Sequence, residues 1–116
     1  MDTVKVESKS GYSIVTMLTD KLDGTTVPTL RSELVLLAGS SVKNMIIDLS
    51  TCEYCDTTGL SAILIAHRLC KDGTLILAGV RESVENMLSI QRFDPPLILV
   101  GDMAEGEARM KLVLEA

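Results

Sequence analysis

The sequence predicts an α/β fold: a mixed, mostly parallel β-sheet of about five strands with about four α-helices packed on it. Three observations carry this expectation. Short apolar runs of strand character alternate with longer segments whose apolar residues recur every three or four positions, the pattern of parallel strands joined by helical crossovers. The 116-residue chain is 47% hydrophobic but only 3% aromatic, so its core must be built from Ile, Leu, Val, Met and Ala, which suits layered packing. No linker or internal repeat divides the sequence. We therefore expect one domain spanning residues 1–116, long enough to bury roughly two-thirds of the surface its unfolded form exposes.

Val4 and Val6 alternate with Lys5 and Glu7, and Gly11 provides a turn before the apolar segment Tyr12 to Leu18. The chain thus opens with two strands resembling a hairpin, the second the more buried. The stretch from Thr19 to Thr26 is polar apart from one apolar plug, Leu22. Pro28 is tolerated in a first helical turn, and Val27, Leu30, Leu34 and Leu37 mark one buried face, with Arg31, Ser32 and Glu33 opposite. Gly39 is expected to cap this helix. Met45, Ile46 and Ile47, followed by Asp48 and Leu49, form a buried strand, and an apolar helix begins near Thr57. That helix carries two stripes: Leu60, Ile63, Leu64, His67 and Cys70, and Ala62, Ile65, Ala66 and Leu69. Lys71 and Gly73 end it.

Thr74 to Ala78 reads as an interior strand buried on both faces. The next helix presents Val84, Met87 and Leu88, and Asp94-Pro95-Pro96 forbids its continuation. Leu97 to Val100 makes the last strand. Asp102, with Glu105 three residues later, resembles a capping box opening a final helix, which Gly106 weakens. Met103, Met110, Leu112 and Leu114 are expected to dock it, while Glu105 to Lys111 forms a solvated face.

Charge and composition exclude several functions. A net charge of −5 and no cluster of Lys and Arg argue against a nucleic-acid partner. The longest apolar run is broken by His67 and Arg68, well short of the ~20 residues that cross a bilayer, and the N-terminus has no signal-peptide pattern. A soluble cytoplasmic protein without direct membrane binding is expected. Three cysteines, an odd count, do not make a disulfide framework. Cys52 and Cys55 read as C-x-x-C, but without a second ligand pair they are expected in the core rather than as a redox pair or half a zinc site. His67 shares a stripe with Leu64 and Cys70 and reads as structural. No base accompanies any nucleophile, and there is no G-x-x-x-x-G-K loop, so no catalytic residue, metal or cofactor is assigned.

The chemistry concentrates at the junction Asp56-Thr57-Thr58-Gly59, where a helix begins. There the first N–H groups of the helix are unpaired and can seat an anion or phosphate. Threonine before a helix is ordinarily a cap, and Thr57 is read that way. Loops leaving the C-terminal ends of parallel strands gather on one rim, which makes Leu22-Asp23-Gly24-Thr25-Thr26 and Cys55-Asp56-Thr57-Thr58-Gly59-Leu60 neighbours.

Across nearly its whole length the chain resembles a STAS domain of the bacterial anti-sigma factor antagonist type. The correspondence rests on the Leu22-Asp23 loop, on Ile47-Asp48-Leu49-Ser50 running into Asp56-Thr57-Thr58-Gly59-Leu60, and on Leu75-Ile76-Leu77-Ala78-Gly79-Val80. It implies a non-enzymatic switch. The hydroxyl residue before the glycine, Thr58 here, would be phosphorylated by the anti-sigma factor, a histidine-kinase-like serine/threonine kinase. The unphosphorylated protein would bind that kinase and free the sigma factor. Phosphorylation would break the complex, and a phosphatase of the PP2C type would restore it. Asp23, Gly24, Thr25, Asp56, Thr57, Thr58, Gly59 and Leu60 are the expected partner-binding residues, Asp23 matching a position implicated in kinase contact. Threonine stands at both hydroxyl positions, where serine is more usual. The same resemblance allows an alternative: a cytosolic STAS subunit docking on the ATPase of an ABC-type transport complex, without phosphate on Thr58.

Overall fold

The computed structural model describes residues 2–116. Its main sheet has five strands: β1 (Val4–Ser8), β2 (Ser13–Met17), β4 (Met45–Asp48), β6 (Leu75–Ala78) and β7 (Ile98–Val100), in spatial order β1-β2-β4-β6-β7. β1 and β2 are the expected antiparallel hairpin, closed by Gly11 at φ +89°, a conformation that favours glycine. The other pairings are parallel, with Ile14 opposite Ile46 opposite Ile76 opposite Ile98 across the sheet.

Each crossover steps one strand further in the same direction. The helices α1 (Val27–Gly39), α2 (Thr57–Leu69) and α3 (Glu82–Leu88) follow in that order, while α4 (Met103–Glu115) comes after the last strand. The alternation of side chains in the strands then sorts the core in two. Val15, Met17, Ile47 and Leu77 join the apolar faces of α1, α2 and α3. Ile14, Ile46, Ile76, Ala78 and Val100 form a smaller cluster under Met110 of α4. The expected face of α1, Val27, Leu30, Leu34 and Leu37, is buried in full.

The structure corrects several expectations. Gly39 is the last residue of α1 rather than its cap: Ser40 takes that position, and Ser41 adopts the left-handed conformation at φ 65°. Leu112 does not help dock α4, being 69% exposed, because two positions beyond Met110, about 200° round the helix, it faces away from the sheet. Nor is Glu105 to Lys111 wholly a solvated face. The Tyr12 hydroxyl donates a 2.6 Å hydrogen bond to Glu107, tying α4 to the start of β2. Gly106 faces the sheet, where an added Cβ would make ordinary contact with Val100 and Ile46 at 3.4 and 3.5 Å. Asp102 caps α4 by accepting from the Glu105 N–H, while Glu105 accepts from Gly101, one residue earlier than a standard capping box.

Two very short strands were not anticipated. β3 (Lys21–Leu22) and β5 (Tyr54–Cys55) form a separate parallel ladder on the rim above the main sheet.

Candidate functional site

The two signature loops are joined by that ladder. Leu22 pairs with Cys55 and Lys21 with Tyr54, and the Asp20 carbonyl accepts from both Glu53 and Tyr54 N–H groups. The Asp56 N–H donates to the Leu22 carbonyl at 3.3 Å. Leu22 is fully buried, so the expected plug anchors both loops in the core.

The first loop is an Asx turn. Asp23 Oδ1 accepts from the Thr25 N–H at 3.0 Å and from the Thr25 hydroxyl at 2.6 Å. These two bonds, the hydroxyl's first, hold the Asp23 carboxyl below its ordinary range, with Lys21 adding to the effect. Thr26 is buried, accepts from the Asp23 N–H and donates to the Lys21 carbonyl, which fixes the loop to its strand. Gly24 and Thr25 lie exposed at the tip.

The second loop ends at the start of α2. Asp56, and not Thr57, is its N-cap: the backbone there is extended, and Oδ1 accepts from the Gly59 N–H at 3.0 Å. Both residue types cap well, so the choice falls to whichever stands one position before the first helical turn. Thr57 is the exposed first residue of α2, and Thr58, the second, is partly exposed. With Asp56 N–H on Leu22 and Gly59 N–H on Asp56, the Thr57 and Thr58 N–H groups are left without a backbone partner among the described residues. They form the positive end of the helix, beside the hydroxyl of Thr58.

Gly59 and Leu60 face inward. A Cβ on Gly59 would stand 2.2 Å from the Leu22 carbonyl oxygen and 2.7 Å from Cys55 Sγ, so only glycine lets α2 meet the ladder. Leu60 belongs to the core. Of the eight expected contact residues, Asp23, Gly24, Thr25, Asp56, Thr57 and Thr58 therefore make the accessible rim, and Gly59 and Leu60 set its shape.

The cysteines are in the core, as expected. Cys52, Cys55 and Cys70 are free and buried. Burial raises all three thiols from an ordinary 9.0, Cys52 to about 12 and Cys55 and Cys70 to about 11. Tyr12 is raised to about 12, first by its hydrogen bond to Glu107 and then by burial. Groups whose ionisation folding opposes stabilise the native state fully below their unfolded pKa, and that contribution fades as pH rises toward the folded value. We predict that native protein at pH 8 resists a thiol reagent at all three positions, that denatured protein titrates all three, and that stability falls steadily above pH 9. Rapid labelling of the native protein would contradict this. His67 is structural, with Nε2 2.8 Å from the Pro95 carbonyl and the ring edge-on to Phe93. Among the described residues no cluster of His, Cys, Asp or Glu could hold a metal, and no helix is long and apolar enough to cross a membrane.

Fold and signature together define a STAS domain, and the family model of that name matches residues 3–103: the chain belongs to the STAS family. Solved structures agree. A STAS domain anti-sigma factor antagonist from Planctomyces limnophilus superposes with a TM-score of 0.82 at 16% identity, over 95% of this chain and 98% of that one. The phosphorylated form of SpoIIAA, a Bacillus cell fate determinant, gives 0.71 at 15% identity, over 90% and 97%. The murine anion transporter, solute carrier 26 family member A9, gives 0.73 at 16% identity over 91% of this chain but 18% of its own. No curated protein matches the chain in sequence.

Proposed function

We propose that this protein is an anti-sigma factor antagonist working by partner switching in the cytoplasm, and that Thr58 is its phosphorylation site. The observation that carries the reading is the rim. A partly exposed threonine hydroxyl stands at a helix start whose N–H groups are free, locked by one ladder to the Asp23 turn. The likeness to a protein named as an anti-sigma factor antagonist, and to one of the fold in a phosphorylated form, supports it.

In this account the partner is a histidine-kinase-like anti-sigma factor, and Asp23, Gly24, Thr25, Asp56, Thr57 and Thr58 touch it. The protein itself catalyses nothing. Phosphate on Thr58 adds about −1.5 to −2 charges. In the free protein the unpaired N–H groups and the helix dipole accommodate them. In the complex the same charge must be desolvated beside Asp56, and the complex dissociates. A phosphatase of the PP2C type removes the phosphate.

The test is intact-protein mass spectrometry after incubation with ATP and histidine-kinase-like anti-sigma factors from the same genome. A single phosphate is expected on the wild type and none on Thr58→Ala. A wild type that binds a partner but never gains phosphate would replace this reading with the second one, a docking subunit of a transport complex. The recurrence of the fold within an anion transporter favours that alternative.

A further inference from the structure

Of the three aromatic residues, Tyr12 and Phe93 are buried, whereas Tyr54 is 52% exposed. A lone exposed aromatic is ordinary. Its setting here is not. In a parallel ladder, directly paired residues project to the same face. Leu22 and Cys55 point into the core, so Lys21 and Tyr54 point outward together. Tyr54 stands two residues before Asp56 and four before Thr58.

The backbone that carries it is held from three directions. Its own N–H and that of Glu53 donate to the Asp20 carbonyl at 3.1 and 2.7 Å. The Ser83 hydroxyl of α3 donates to the Glu53 carbonyl at 2.7 Å, and Asp56 is bonded to Leu22 on the far side. The backbone thus presents the ring at one place, and a tyrosine side chain, with two rotatable angles, loses little freedom when a partner covers it. Its surroundings are mixed in charge: Asp20, Glu53, Asp23 and Asp56 lie on the two joined loops with Lys21, and Arg81 bonds to the Ser50 carbonyl of the same loop.

Resting on the partner-switching reading, the geometry points to Tyr54 as the anchor of the anti-sigma factor interface, seated in an apolar slot of the partner. The anchor and the switch are then separate. Tyr54 supplies affinity in the unphosphorylated state, and Thr58 decides whether that affinity is expressed.

The experiment measures equilibrium affinity and dissociation rate of the full chain against the kinase that phosphorylates Thr58, without ATP. Tyr54→Ala is expected to bind on the order of 30-fold more weakly, chiefly through faster dissociation, with unchanged melting temperature. Tyr54→Phe should stay within about threefold of wild type, because the ring and not the hydroxyl fills the slot. Tyr54→Arg, which keeps a long stem on the ladder, should lose at least as much as alanine, since it carries a cation that must be desolvated in an apolar slot. Alanine and arginine variants binding like wild type, with wild type itself binding and accepting phosphate, would overturn the anchor and leave the switch standing. A wild type that binds no such kinase would overturn both.

Discussion

Replacing Thr58 with glutamate should lower affinity for the anti-sigma factor on the order of a hundredfold while leaving the fold unchanged. That factor corresponds to only about 2.8 kcal/mol. One fixed negative charge beside Asp56, desolvated when a partner closes over the rim, is enough to supply it. The free protein tolerates the charge because position two of α2 is where a helix favours an anion. Calorimetric titration should show the loss, and circular dichroism and melting temperature should match wild type. Thr57→Glu, one residue earlier and more exposed, should have a smaller effect. Equal affinity of Thr58→Glu and wild type would contradict the local mechanism.

The second large effect is structural. Gly59→Ala places a methyl group 2.2 Å from a backbone carbonyl and 2.7 Å from a buried sulfur. Backbone cannot yield as a side-chain tip can, so α2 or the ladder must move. We expect a loss of about 3 kcal/mol, or ~10 °C in melting temperature, and weakened partner binding because the two loops separate. Gly24→Ala is the matched control: nothing lies within 4 Å of the added methyl, and little change in melting is expected. Similar melting temperatures for the two variants would show that Gly59 does not hold α2 against the ladder.

Much of this architecture is legible in the residues. The strands and α1 could be read because their apolar periods run over four or more positions, and the core faces follow directly. The rim was legible only in part. Strand pairs of two residues have no period to detect, so Leu22 could be seen as a plug but not as half of a ladder. Exposure of Tyr54 depends on which face of that ladder is buried, a fact held by its pairing with Lys21 and not by its neighbours in sequence. The cap went to Asp56 instead of Thr57 because the helix starts one residue earlier than the hydroxyls suggested. At the other end of the chain, Met110 was found in the core but Leu112 was not, since Met103, Gly106 and Met110 share the inward face and a residue two positions on lies on the other side of the helix.

The inward turn of Gly59 and Leu60 also changes how the signature is understood. Two of its five residues are shaped to be buried, and the residues that can meet a partner are the polar ones before the glycine. On the proposed reading a single modification at Thr58 acts without refolding, because the scaffold beneath it is apolar and tightly approached.

The most direct measurement of the central claim starts from a preformed complex with the anti-sigma factor. ATP is added, and phosphate on Thr58 and the bound fraction are followed in the same sample over time. The complex should dissolve in step with phosphate incorporation, and Thr58→Ala should stay bound throughout. A complex that survives full phosphorylation of Thr58, or a Thr58→Ala complex that dissolves equally fast, would contradict it.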